Sequence, residues 1–317
     1  MRCQLGVPAG IASFFKTHAE DIFMKKRNLD EACSGYLFLL PSLIVFFSLI
    51  IFPVLFSAFL SFTSWNFTSG LSGIQFIGIE NFKELFSDKL FKYGFRNTFV
   101  YALTVVPVSL VIAVVLAYCL NDKVFCKRGL RTVFFIPYIS NAVAMATLFK
   151  FMFRNDGPIN MFLTSVCGME KGLRWLSSND LNRIPIIVLM IWQAIGYEMI
   201  VYMAAMQDVS ADLYEASSID GAGKVRQFFS ITLPLISPTT FFLLIIEMIG
   251  TFKVFTAVHI ISGNARGNTS IIAKIYVDAF SNYKFGYASA EAWVLFAIIM
   301  LFTAVQFWGE RKWVHKG

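Results

Sequence analysis

The sequence predicts an all-α membrane protein with six transmembrane helices. Scarcity of charge, a series of long charge-free stretches, and basic clusters at the ends of some of those stretches carry the prediction. Of 317 residues, 57% are hydrophobic and only 15% are charged, against about 25% charged in soluble domains. Mean hydropathy is +0.65. Charge is costly in hydrocarbon, so a lipid-exposed surface must be poor in it. A soluble enzyme, a disordered chain and a disulfide-stapled secreted domain are all poor fits.

The chain carries 27 Lys and Arg against 20 Asp and Glu, a net charge of +7. Membrane proteins gather Lys and Arg in cytoplasmic loops, and that bias accounts for the excess without a nucleic-acid partner. Cys3, Cys33, Cys119, Cys126 and Cys167 form no CxxC pair. Neither a disulfide framework nor a metal site is expected.

About 20 apolar residues in helix cross a bilayer. Span one lies within the charge-free stretch between Glu31 and Glu80, from Tyr36 to Phe62. Span two lies between Arg96 and Asp122, and span three between Arg131 and Lys150. Ile184 to Gln207 makes span four, interrupted by Glu198. Span five runs from Leu235 to about Ser262 with Glu247 and Lys253, and span six from Tyr287 to Gly309 with Glu291 near its start. Pro41, Pro53 and Pro107 are expected to kink their helices, which buried membrane helices tolerate.

Six spans put both termini on one side. Lys25, Lys26 and Arg27 precede span one; Lys123, Lys127, Arg128 and Arg131 join spans two and three; Arg311, Lys312 and Lys316 follow span six. These local clusters place both termini in the cytoplasm with segments 121–131 and 208–234. The expected organisation is a cytoplasmic N-terminal tail (1–34), a six-helix domain (35–311) and a cytoplasmic C-terminal tail (312–317). The polar, basic first 30 residues and the length of span one argue against a signal peptide.

Catalytic patterns are missing from the sequence. Asp220-Gly221-Ala222-Gly223-Lys224 looks like a phosphate-binding loop, but Ser218 and Val225 stand where that loop needs Gly and Ser or Thr. His18, His259 and His315 are scattered, and there is no HExxH or G-x-S-x-G. The expectation is a non-enzyme with no catalytic residue. Acids in spans mark transport paths or buried pairs more often than hydrolytic sites.

The informative segment is 208–238. It reads as two short helices joined at glycine, with Asp212 capping the first and Glu215 completing a capping box. Gly221 and Gly223 permit the tight turn, and Pro234 stops the second helix before span five. Small residues Ala216, Ser217 and Ala222 allow another protein to approach closely. The alternative is an amphipathic connector lying on the membrane.

Glu215-Ala216-Ser217, then Gly221, then Ile231-x-Leu233-Pro234 resembles the EAA signature of ATP-binding-cassette importer permeases. The fuller run Leu213 to Gly223 resembles their carbohydrate branch, which includes maltose and glycerol-phosphate permeases. Phe76 to Phe82, Arg96-Asn97-Thr98, Phe135-Ile136-Pro137, Gly157 to Asn160 and Phe285 to Ala290 fit as well. Ser217 replaces the commonest alanine, and Gly263 to Gly267 departs from the usual Gly-Gly-Pro loop, so no role is carried to that loop.

The resemblance implies a type I importer transmembrane domain in a bacterial cytoplasmic (inner) membrane. It would pair with a second homologous permease, sit on two ATPase subunits, receive solute from an extracytoplasmic binding protein, and contact membrane lipid. It implies no cofactor in this chain, ATP and Mg being held by the ATPases. The EAA segment would be the cytoplasmic coupling helix, with Glu215, Ala216, Ser217, Asp220, Gly221 and Ala222 as the docking residues.

Glu247 lies nine residues beyond Pro238, roughly 14 Å along a helix and near the middle of a ~30 Å core. Thr251 is one turn above on the same face. The resemblance implies that Glu247, Thr251, Trp192 and Tyr197 line a solute cavity; a buried pair with a neighbouring subunit is the other reading of Glu247. Glu198 points about 100° away from Tyr197, towards a neighbouring helix. Gln193 and Asn141 are weaker cavity candidates. The expected solute is a di- or oligosaccharide, with glycerol phosphate or another polar solute as the alternative. A self-sufficient carrier with Glu198 and Glu247 as a relay is the reading from another class, and it would need no docking segment.

Overall fold

The computed structural model describes residues 36–121, 126–178, 181–262 and 268–313. Expectations for the tail 1–34 with Lys25 to Arg27, for Lys123, for the loop 263–267 and for the tail beyond residue 313 lie outside the described residues. Thirteen α-helical segments lie among the described residues. They are α1 (Tyr36–Leu60), α2 (Glu80–Ser87), α3 (Lys89–Asn121), α4 (Lys127–Ile139), α5 (Ala142–Met152), α6 (Pro158–Ser165) and α7 (Ile184–Gln207). Then come α8 (Ala211–Ile219), α9 (Lys224–Leu235), α10 (Ser237–Phe252), α11 (Thr256–Ser262), α12 (Ile271–Tyr276) and α13 (Phe285–Trp313). Among the described residues there is no strand, only an isolated bridge between Thr63 and Phe76.

The chain divides into two units, residues 1–59 and 60–317. In the first, α1 contains a π-helical turn at Phe47–Ile51, closed by the Phe52 N–H bonding to the Phe47 carbonyl. Pro53 explains it: the ring excludes an ordinary turn behind it, and a wider turn makes room. The apolar side chains of α1 are almost all exposed, which suits hydrocarbon and not water.

The second unit is built on α3 and α7. Buried Phe91, Gly94, Thr98, Tyr101, Ala102, Val105, Val106, Ser109, Leu110, Ala113 and Ala117 recur every three or four residues along α3, the signature of one buried face. Pro107 sits within α3 without ending it. Its lower half packs with Met199, Tyr202, Met203 and Met206 of α7 and with Ile236 and Leu243. Small Gly196 admits the α4 backbone: a Cβ there would lie 2.1 Å from the Phe134 carbonyl oxygen.

Spans one, two, four and six are single helices, but spans three and five are broken. Helices α4 and α5 meet at 96°. Pro137 removes a helical N–H, and Asn141 then competes for the backbone, its Oδ1 accepting from the N–H of Val143 (2.9 Å) and Ala144 (3.2 Å). Helix α9 runs on through Pro234, which does not stop it. The bend of 65° comes at Ile236, where Pro238 cannot continue the ladder. Span five also ends early, at Phe252, and the chain restarts as α11 after Lys253 to Phe255.

Candidate functional site

Helix α8 begins at Ser210, whose Oγ accepts from the Asp212 N–H at 3.3 Å. The cap is therefore Ser210, not Asp212, and Leu213 occupies the third helical position where the expected box needed Glu215. Two residues of register explain the correction: Ser210 and Asp212 are both good caps, and the chain leaves α7 in time for the first. Glu215 and Ala216 are consequently exposed, as are Asp220 and Gly221.

The helix ends in a left-handed cap. Gly221 has φ +78°, its N–H bonds to the Ser218 carbonyl at 3.1 Å, and the Ala222 N–H bonds to the Ser217 carbonyl at 2.9 Å. Only glycine takes that conformation without strain. Behind the exposed face, α8 is tied to α9. Tyr214 Oη and Thr232 Oγ1 are 2.9 Å apart. Gln227 Nε2 donates to Ser217 Oγ (2.9 Å), Ser218 Oγ (2.9 Å) and the Tyr214 carbonyl (3.2 Å). Tyr118 of α3 donates to the Lys224 carbonyl at 3.0 Å.

Beyond the Ile236 bend, α10 reaches a cavity of about 350 Å³ lined by Glu247, Gly250 and Thr251 with Tyr138, Ser140, Gln193 and Thr256 among others. Glu247 and Thr251 thus face one cavity, as their spacing predicts, and Thr251 Oγ1 is buried with no hydrogen-bond partner among the described residues. Trp192 and Tyr197 do not line this cavity. Trp192 packs on Phe149 (5.6 Å), while Tyr197 stacks on Tyr138 at 5.0 Å and so backs a ring that does line it. The break between α4 and α5 turns Tyr138 and Ser140 towards the cavity, which an unbroken span three would not foretell. Glu198 turns away: it is fully buried, and its Oε1 accepts from Ser109 Oγ of α3 at 2.9 Å.

A second polar cluster lies at the opposite end of the second unit from α8. Lys274 Nζ reaches Asp278 Oδ2 (2.6 Å), Asp88 Oδ2 (2.9 Å) and Glu291 Oε1, and Tyr287 donates to Asp88 at 3.1 Å. Lys274 also sits 4.9 Å from the centre of the Tyr287 ring. Burial alone would lower the Lys274 pKa, but Glu291, Asp278 and Asp88 together hold it well above that of a free lysine. Burial likewise works to raise Asp88, yet bonds from Lys274, the Leu90 N–H and Tyr287 bring it below the ordinary carboxylate range.

These arrangements can be set beside known proteins. Residues 106–315 match the family described as binding-protein-dependent transport system inner membrane component. The chain belongs to this family. As a member it is 34% identical over 302 residues to the probable ABC transporter permease protein YesP of Bacillus subtilis, covering 93% of this chain and 96% of that one. It is 29% identical to the lactose transport system permease protein LacF of Rhizobium radiobacter, covering 90% and 96%. Its fold matches a subunit in the crystal structure of a bacterial alginate ABC transporter in complex with its alginate pentasaccharide-bound periplasmic protein. That match has a TM-score of 0.78 and 22% identity, and covers 92% of this chain and 98% of that one. The resemblance read at motifs from Phe76 to Ala290 thereby holds over most of the chain, as a multi-pass permease of the carbohydrate branch.

The family motifs with no assigned role gain one from the structure. Asn97 donates to the Thr269 carbonyl (3.0 Å) and accepts from Arg183 (2.9 Å). Asn160 anchors the loop after α6 through Leu173 and Trp175. The Lys274 cluster escaped the sequence reading; its one signal was Glu291, an acid inside a span and hence in need of a base.

Proposed function

We propose that this chain is the permease subunit of a binding-protein-dependent importer that moves a neutral di- or oligosaccharide into the cytoplasm. One observation carries the reading: the exposed face of α8 is tied rigidly to α9, and α9 continues through one bend into the helix that lines the cavity. A push on α8 is transmitted through Tyr214–Thr232 and Gln227 to α9, and so to Glu247 and Thr251. The push would come from two ATPase subunits closing on ATP and Mg, with no cofactor held by this chain. Glu215, freed from capping and without a partner among the described residues, offers its charge to a base on the ATPase. Ala216, Ser217 and Ala222 allow close approach, Asp220 and Gly221 form the turn, and a second permease completes the cavity. Both termini and α8 would then face the cytoplasm.

Carboxylate, hydroxyl and amide groups beside the Tyr138 ring suit a sugar, which presents hydroxyls at its edge and C–H bonds on its faces. An acid at Glu247 disfavours an anionic solute such as glycerol phosphate. The test is co-purification in mild detergent followed by reconstitution. Two ATPase copies and one different permease per chain, with ATP hydrolysis stimulated by binding protein plus a neutral oligosaccharide, is the expected result. A stable assembly of this chain alone, indifferent to Gly221→Val, would overturn it.

A further inference from the structure

At the end of the second unit remote from α8, a groove of about 530 Å³ runs between α3 and α13. Phe86, Phe91, Phe95, Val294, Ala297, Ile298 and Leu301 line it, and Lys92 is its one charged residue. Deeper in, Phe99 of α3 and Phe302 of α13 meet at 5.2 Å, each also packed on Phe252 at the end of α10. From Val294 to Leu301 the groove descends about 10 Å along α13, two-thirds of a ~15 Å leaflet.

Its mouth is basic. Lys89, Lys92 and Arg96 stand at helix spacings of three and four on α3, so they share a face. All three are exposed, and none has an ion-pair partner among the described residues. Of the nearby acids, Asp88 holds Lys274, and Glu84 lines a separate polar pocket with Trp65 and Lys284. Phe86 and Tyr93, close to these bases in the sequence, are exposed, and exposed aromatic rings mark a membrane interface. With α8 cytoplasmic, this row lies outside, where the usual charge bias disfavours Lys and Arg.

We propose that this groove binds one anionic phospholipid, an acyl chain lying along Phe91, Phe95, Ala297 and Leu301 and the phosphate held by Lys92 with Lys89 and Arg96. An apolar slot topped by unpaired cations complements a molecule that joins an acyl chain to an anion. A helix of another chain would need its own acid at this level to satisfy the same row. The lipid would bridge the start of span two to span six beside the Lys274 cluster, and so brace that end of the unit.

The test uses the complete transporter, extracted and delipidated, then titrated with phosphatidylglycerol or phosphatidylcholine in mixed micelles and read by native mass spectrometry. One tightly retained phosphatidylglycerol per copy of this chain is expected, with phosphatidylcholine binding far more weakly. Lys92→Gln should weaken retention about fivefold, the equivalent of ~1 kcal/mol for one base at a membrane surface. Ala297→Phe, which fills the slot, should abolish it, and Lys171→Gln should change nothing. Lys92 is exposed, so its variant keeps the test sound if Ala297→Phe does not fold. Equal binding of the two lipids, retention unchanged by Lys92→Gln, or a photocrosslinker at position 297 capturing the second permease would overturn the proposal. None of these readouts depends on the solute, so failure here leaves the import reading standing.

Discussion

The two ends of the second unit use polar residues in opposite ways. Around Lys274 the charges are buried and spent on one another: one ammonium, three carboxylates and a phenol from α12, the chain after it, the start of α13 and the residue before α3. Around α8 the charges stand exposed while neutral groups do the binding, Tyr214 to Thr232 and Gln227 to Ser217. The first arrangement fixes backbone segments against each other. The second fixes a helix from behind and leaves its acids for another molecule. Where a charge is satisfied inside the chain it reports on architecture, and where it is left unpaired it reports on a partner.

The sharpest way to break this contrast is to empty the buried cluster. Lys274→Met leaves three carboxylates without their cation, and removing one partner of a buried pair typically costs about 3–5 kcal/mol. A large fall in the thermal midpoint of the detergent-purified protein is expected, with part of it recovered by the double variant Lys274→Met, Glu291→Met. A midpoint unmoved by the single variant would mean the cluster is ornamental. Gly221→Val attacks the other end. Its positive φ costs a β-branched residue about 1–2 kcal/mol, so transport-coupled ATP hydrolysis should fall by an order of magnitude or more while the thermal midpoint barely moves. Equal damage to both readouts would erase the distinction between the ends.

Titration sharpens the comparison further. Asp88 is depressed below its ordinary 3.8, so its contribution is present at neutral pH and is lost as pH falls through the depressed value. Lys274 is raised above its ordinary 10.5, so its contribution is present below that pH and is lost only as pH rises beyond it. As far as these two groups set it, the thermal midpoint should be flat from about pH 5 to pH 9, whereas Lys274→Met, which leaves burial free to raise Asp88, should lower the midpoint more at pH 9 than at pH 5. Within the cavity, Glu247→Gln keeps shape and removes charge. Uptake should fall several-fold with the thermal midpoint unchanged, and undiminished uptake would remove Glu247 from the solute path.

How much of this was legible depended on whether the signal was local. Four spans read directly from the length of the charge-free stretches, because hydrophobic thickness is a one-dimensional constraint. The glycine turn at Gly221 and the shared face of Glu247 and Thr251 are likewise set by a few neighbouring residues. The break between α4 and α5 is not legible, although Pro137 and Asn141 stand there, because apolar composition continues across it. The family resemblance puts Trp192 and Tyr197 on the cavity, but which face of an apolar helix meets which neighbour is decided by tertiary packing. The Lys274 cluster joins residues about 200 positions apart, and no window of sequence contains both Asp88 and Glu291.

The smallest effect tests the finest correction. If Ser210 caps α8, Ser210→Ala removes the one side-chain acceptor for the Asp212 N–H. At an exposed site with a 3.3 Å bond the cost should sit near ~0.5 kcal/mol, the low end for a lost cap. The amides of Asp212 and Leu213 would then exchange with solvent about twice as fast, with transport little changed. Asp212→Ala should leave their protection nearly intact, since Asp212 lies inside the first turn and contributes only its charge to the helix dipole. The reverse order of effects would return the cap to Asp212 and bring Glu215 back into a capping box. That would weaken the case for its docking role at its root, because a carboxylate engaged by its own backbone has less to offer a partner.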